Sequence, residues 1–543
     1  MTRRFALLAV VPLLVVMLGA AQEHHPGAPP ERLGNAHFPT SCTGGAQADF
    51  DRGIALLHSF WFPEAVASFK AAIAKDAGCG IAHWGIALSN WGNPFAGLRS
   101  PASIAGGAAA IAEAQKAGAR TDRERAYIAA AAELYKDSQT IDQRTRTLAY
   151  ERAMEQVYKT YPNDPEAAAF YALALDQDAL PTDKTYANQL KAAAILEKLF
   201  AAQPDHPGVA HYIIHTYDTP ALAPKALTAA RRYASIAPSV PHALHMPSHT
   251  FTRVGLWQDS IETNIKSAEA AKKSGPGGTG EELHASDYET YAFLQTGQDA
   301  AAKTVVDSVP TIVARFDTTK MQGAAPAAAG SYAVAAIAAR YALERGMWKE
   351  ASALEVRPSS IPYVEAITHF ARALGSARSG NPADAGASIE RLAALRDAMK
   401  QASDPYWTEQ IEIQRLAATA WKTFAEGRKD DAVDLLKTAA EREDATDKSA
   451  ISPGPLAPAR EQLGEMLLDM GRSAEALKAF EATTVKEPNR FRGVYGAARA
   501  AELSGNRQLA TKYYRQLIEI CKRADTPGRS ELQNARRFLR ASH

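Results

Sequence analysis

The chain has 543 residues, 46% hydrophobic and 22% charged, with 61 Lys and Arg against 60 Asp and Glu for a formal net charge of +1. One core rarely grows past roughly 250–300 residues, so this length demands several domains or an elongated array; the hydrophobic share excludes a disordered chain, and the charge balance argues against a dedicated nucleic-acid binder. Three cysteines exclude a disulfide-rich scaffold and a Cys-based zinc ribbon.

In chain order, the basic Thr2-Arg3-Arg4, the apolar run 5–18 and the small Gly19-Ala20-Ala21 read as a signal peptide over residues 1–21. The run is short for a membrane span, with an uncleaved anchor as the alternative. No second apolar stretch of spanning length follows. The sequence therefore predicts an exported protein, periplasmic or secreted, with no membrane span after cleavage. Residues 22–45 form an N-terminal arm. In an oxidising compartment Cys42 and Cys79 would pair and pin that arm to the body; two free buried thiols are the alternative. Cys521 is left over.

From Ala46 onward the chain repeats. One copy carries Gly53, Leu56, Ala65, Phe69 and Ala72. Another carries Gly464, Leu467, Gly471, Ala476, Phe480 and Pro488, and the last carries Gly505, Ala510, Tyr514 and Leu517. Ala510 lies 34 residues after Ala476, and Ala192, Ala226 and Ser260 are each 34 apart. This pattern resembles the tetratricopeptide (TPR) repeat. The resemblance implies an all-α fold, a superhelix (α-solenoid) of roughly eleven stacked helical hairpins with loop insertions. The array would run over 46–451, with a hinge or linker at 452–458 (SPGPLAP) and C-terminal hairpins with a last helix over 459–543. Segments 91–107, 180–188, 274–280 and 321–330 are rich in Gly, Pro, Ala or Ser and read as surface loops, some able to overhang a groove.

Six of the 14 histidines fall between His206 and His249. His211 and His245 are 34 apart, as are His215 and His249, and within each helix the pair is spaced i, i+4 on one face. Pro207 and Pro241 repeat at the same period and suit first turns. In TPR proteins such first-helix positions line the concave groove. The resemblance thus implies a binding groove of His211, His215, Asp218, His245, His249 and Arg253, extended by His284, Asp287 and Tyr291 in the next repeat. Asp176 sits on the matching stripe one repeat earlier, and His58 at a groove-type position in the first. The ligand set His211, His215, His245, His249 and Asp287, with Asp218 beside it, would suit Zn, Cu or Fe. The same residues could instead give a polar groove for a partner or ligand, or serve packing alone. Pro247 should kink the second His helix.

The phrases LLHSFWFPEA, CGIAHWGIALSNWGNPF, HALHMPSHTFTRVG and EPNRFRGVYGAARAAE resemble a group of exported bacterial TPR proteins. That resemblance implies fold and export and names no reaction. No GxxxxGK[ST] loop, HExxH helix or GxSxG elbow occurs. Two functions lead, with a purely structural member of an envelope assembly as the third. One is an exported scaffold whose groove binds a protein segment, peptide or small ligand, and not nucleic acid. The other is a metalloprotein, an oxidoreductase or hydrolase, holding its ion on groove His and Asp residues.

Overall fold

The computed structural model describes residues 31–541, so the segment read as a signal peptide lies outside the described residues. All regular structure among the described residues is helical. Successive helices pair from Ala46–His58 with Phe62–Lys75 through Phe491–Leu503 with Arg507–Ile520, and Ser530–Arg540 packs last. Twelve hairpins result, counting the interrupted helix of the sixth as one, against the roughly eleven read from the repeats. No described helix is long and apolar enough to cross a membrane.

The repeat residues act by size. A Cβ on Gly53 would stand 2.7 Å from the Phe69 ring, and one on Gly85, in the next hairpin, 2.4 Å from it. Near the other end Gly464 and Gly496 clear the Phe480 ring in the same way, at 2.7 and 2.3 Å. In both of these hairpins an aromatic ring on the second helix is thus clamped between two glycines on flanking first helices. Neighbours must therefore stack to bury it.

The arm turns back onto the body. Phe38 is fully buried among Phe50, Trp84 and Tyr127, Cys42 and Cys79 form a disulfide, and Asn35 N donates to Asp205 O at 2.9 Å. Cys521 is a buried free thiol.

Two expectations about loops are corrected. Segment 452–458 is not a hinge: Ser452, Gly454 and Leu456 are buried on the concave face, and Arg340 Nη1 donates to Gly454 O at 3.0 Å while its Nη2 donates to Ser452 Oγ at 3.0 Å. A Cβ on Gly454 would lie 2.6 Å from the Tyr291 hydroxyl oxygen, so glycine lets this strap lie flat. The start of 321–330 is likewise no surface loop. Gln322, Ala324 and Ala325 are buried, Asn93 Nδ2 donates to Ala324 O at 3.0 Å, and Ala325 N donates to Glu281 Oε1 at 2.7 Å. Their backbone polar groups find buried partners, which lets these loops lie inside. Together with 92–100 they roof the concave face of the middle repeats.

Candidate metal centre

Under that roof lie six imidazoles from three successive first helices. His211 and His215 come from Pro207–Thr216, whose first turn is capped by His206 Nδ1 accepting from Val209 N at 3.3 Å. The next first helix is split, as Pro247 requires, into Pro241–His245 and Pro247–Arg253. It supplies His242, His245 and His249. His284 comes from Thr279–Gln295. None of the six is more than 8% exposed.

The six form two adjacent triads, His211–His215–His242 and His245–His249–His284, in each of which one ligating nitrogen per residue lies within 4.8 Å of the others. Ring centroids bridge the triads at 5.8 Å for His215–His249 and 5.9 Å for His242–His245. The four imidazoles paired by the 34-residue period therefore divide between two centres and do not share one. His284 joins the second. His242, outside the periodic pairs, completes the first; its signal in the sequence was only its place in HALHMPSH.

Hydrogen bonds fix the tautomers. His211 Nδ1 lies 2.7 Å from the His58 carbonyl, His249 Nδ1 2.9 Å from Asp218 Oδ2, and His245 Nδ1 2.6 Å from Asn264 Oδ1. Asn264 Nδ2 donates to Ser260 O at 2.7 Å, which orients the amide. All three partners accept, so each Nδ1 must carry the hydrogen and each neutral ring leaves Nε2 bare. Yet His245 Nε2 and His249 Nε2, both bare, face each other at 3.1 Å, whereas His242, with no partner on Nδ1, can carry its hydrogen on Nε2 and donate to His211 Nε2 at 3.1 Å. The Tyr288 hydroxyl has one proton and three acceptors at 3.3 Å: His249 Nε2, Ala450 O and Ser452 O. His215 Nε2, His242 Nδ1 and His284 Nδ1 are buried with no hydrogen-bond partner.

Burial pushes the pKa of His211, His215, His242, His245 and His284 well below the usual imidazole value, and neighbouring imidazoles push the same way. Burial also lowers His249, against the pull of Asp218. The rings are neutral, the state a metal requires. Asp218 stays ionised: burial opposes its charge, but Lys448, Arg253 and His249 outweigh it and hold the carboxyl well below the usual carboxylate range. Glu281 is pushed up to about 7 by burial against a bond from Ala325 N, and its Oε2, without a partner, stands 3.6 Å from His242 Nδ1.

The remaining expected residues fall elsewhere. Asp287 is not a ligand: fully buried, it accepts from Arg340 Nε at 2.7 Å, because a buried guanidinium needs a carboxylate. Tyr291 accepts from Arg490 Nη1 at 2.9 Å. Arg253 donates to Asp218 Oδ1 at 2.9 Å and so braces the residue that holds His249. Nor does the set line an open groove, because residues 446–458 of the chain itself cross it. A cavity of about 430 Å³ reaches His215 and Asp218.

No protein-family model and no curated protein matches the sequence. Among solved structures, a human IFIT1 dimer with PPP-AAAA is 11% identical, over 81% of this chain and 90% of that one, with a TM-score of 0.40. An IFIT1 monomeric mutant with Gppp-AAAA is 12% identical over the same shares, with a TM-score of 0.39. At these scores the likeness assigns no ligand to this chain, and the exclusion of nucleic acid read from its charge gains no support from it.

Proposed function

We propose that this protein is an exported TPR-type scaffold that holds a pair of metal ions on its two buried histidine triads and presents them to a small ligand entering from the adjoining cavity. One observation carries the reading: His245 and His249, both hydrogen-bonded through Nδ1, turn bare Nε2 atoms on each other at 3.1 Å. Two buried lone pairs so placed repel unless a cation lies between them. A tetrahedral site with Zn–N bonds of roughly 2.0–2.1 Å has N···N edges of about 3.3 Å, close to that spacing. The Nδ1 partners are the outer-shell carbonyl, amide and carboxylate that orient ligating imidazoles. An all-imidazole donor set suits Zn, Cu or Fe, and divalent affinity orders favour Cu. Three protein ligands per ion leave a position open, as catalytic sites do.

The strap over the concave face supports a small ligand over a peptide, since the chain itself occupies the peptide's usual place. The Cys42–Cys79 bond and the basic-then-apolar start support export to the periplasm or beyond.

Elemental analysis of the purified full chain tests the reading. About two Cu, Zn or Fe ions per chain are expected. The double variants H245A/H249A and H211A/H242A should each lose one. Absence of stoichiometric metal, with no change in melting temperature when Cu, Zn or Fe is added, would reject it.

A further inference from the structure

The cavity beside the first triad has a chemistry of its own. Trp407 and Tyr363 stack nearly flat within its lining, with ring centroids 4.0 Å apart and planes 9° off parallel. Phe95, also in the lining, covers His215 at 4.3 Å and 26°. Below them the lining turns polar at Asp176, nine-tenths buried, which accepts a hydrogen bond from Thr216 Oγ1 at 3.2 Å. Thr216 directly follows His215, so that carboxyl and the triad share one end of the cavity.

Charge narrows the occupant. Arg144 is paired with Asp178 at 3.2 Å and Lys448 with Asp218 at 3.1 Å, so the two cations in the lining already have their anions. Asp404 adds an acidic group, and Asp447 is paired with Lys184 at 3.0 Å. An anionic ligand would have to displace a buried carboxylate from its partner, which costs more than a new pair returns. A purely apolar ligand would seal Asp176 away with one hydrogen bond. Burial pushes the Asp176 carboxyl up to about 7, so it can donate as well as accept near neutrality. The volume of about 430 Å³ falls in the range of small-molecule sites, roughly 300–1,000 Å³.

We infer that this cavity binds a small uncharged aromatic molecule carrying a hydroxyl or amino group, its ring among Trp407, Tyr363 and Phe95 and its polar group on Asp176, within reach of the His215 triad. The inference rests on the metal reading for what the bound molecule meets there, and not for its binding.

Calorimetric titration with phenol, catechol and aniline tests it, with benzoate as the charged comparator. Each titration is run on the protein as purified and after chelator stripping, with metal content measured in both. Saturable binding of the three neutral probes to both forms is expected. Benzoate should bind at least tenfold more weakly. Asp176→Leu and Trp407→Ala should each weaken phenol at least fivefold, while the near-isosteric Asp176→Asn, which keeps a neutral donor and acceptor, should hold phenol within about twofold of wild type. No saturable binding by any neutral probe, benzoate binding as tightly as phenol, or full affinity in both Asp176→Leu and Trp407→Ala would overturn the inference. Absence of metal with intact phenol binding would reject the metal reading alone and leave the pocket standing.

Discussion

Two buried histidine clusters lie side by side in this superhelix, and only one of them is finished. In the first, His58 Nε2 and His206 Nε2 reach the two oxygens of Glu166 at 2.7 and 3.0 Å, the Tyr212 hydroxyl meets His58 Nδ1 at 2.8 Å, and Val209 N donates to His206 Nδ1. Each Nε2 donates to a carboxylate oxygen and each Nδ1 accepts, so four donors meet four acceptors. Burial opposes the Glu166 charge, and the two imidazoles outweigh it. In the second cluster six imidazoles have three Nδ1 acceptors that fit, one pair of bare Nε2 atoms facing each other at His245 and His249, and three ring nitrogens with no partner. All three groups satisfy the same proximity rule, three ligating atoms within 4.8 Å. Proximity of ligand-type residues therefore does not mark a metal site. An excess of buried lone pairs over available hydrogens does.

Acid should break the unfinished cluster first. The six imidazoles are lowered in the folded state, mainly by burial, from an ordinary value near 6.5. The unfolded chain takes up protons first as pH falls. Stability is thus whole above about pH 6.5 and declines below it, by up to about 1.4 kcal/mol per pH unit for each ring that stays neutral. The melting temperature of chelated protein should drop steeply between pH 7 and pH 5. An unchanged value would mean that the rings are not held neutral.

The finished cluster should break by truncation. Glu166→Ala leaves His58 and His206 donating to nothing, with an expected loss of about 2–6 kcal/mol from two unsatisfied buried donors. Added metal should not restore it, whereas a site meant for an ion would be rescued. Next in size, metal at a hundred times its Kd should stabilise the wild-type chain by about 2.7 kcal/mol for each filled triad. In H245A/H249A only one such increment should remain, read as the shift in melting temperature on adding metal.

The fold was legible because the repeat is a size code: Gly53 and Phe69 are readable in the sequence, and the clash distances at Gly53 and at Gly85 in the next hairpin show why small residues recur there. The site was legible only along the period. The 34-residue spacing found His211, His215, His245 and His249 because duplication preserves register. Loop composition suggested that some segments could overhang a groove, and 317–326, just after the His284 hairpin, does so; the period could not show that residues 446–458, from a repeat far along the chain, would cross that face as well. Nor could it find His242, which has no periodic counterpart: one period earlier stands Gly208, where a Cβ would lie 2.4 Å from His58 Nδ1. Asp287 was misplaced for a related reason. Register put it on the right face, and Arg340, 53 residues later, claimed it.

The smallest predicted effect is the most discriminating, because it separates a hydrogen-bonded core from a ligated ion. Asn264 touches no candidate ion. It accepts from His245 Nδ1 at 2.6 Å through Oδ1, and from the other end donates to Ser260 O. If His245 is only packed, Asn264→Ala and Asn264→Asp both disturb a buried bond and both lower the melting temperature of metal-free protein. If His245 ligates, its Nδ1 partner also tunes the basicity of Nε2. Removing that partner should weaken metal binding about 10–100-fold, while a carboxylate in its place should tighten it. Competition with a chromophoric chelator reads the affinity directly, apart from stability. Ala weaker and Asp tighter than wild type is the expected order. Equal affinities in all three proteins would leave His245 outside the coordination sphere and reduce the second triad to packing.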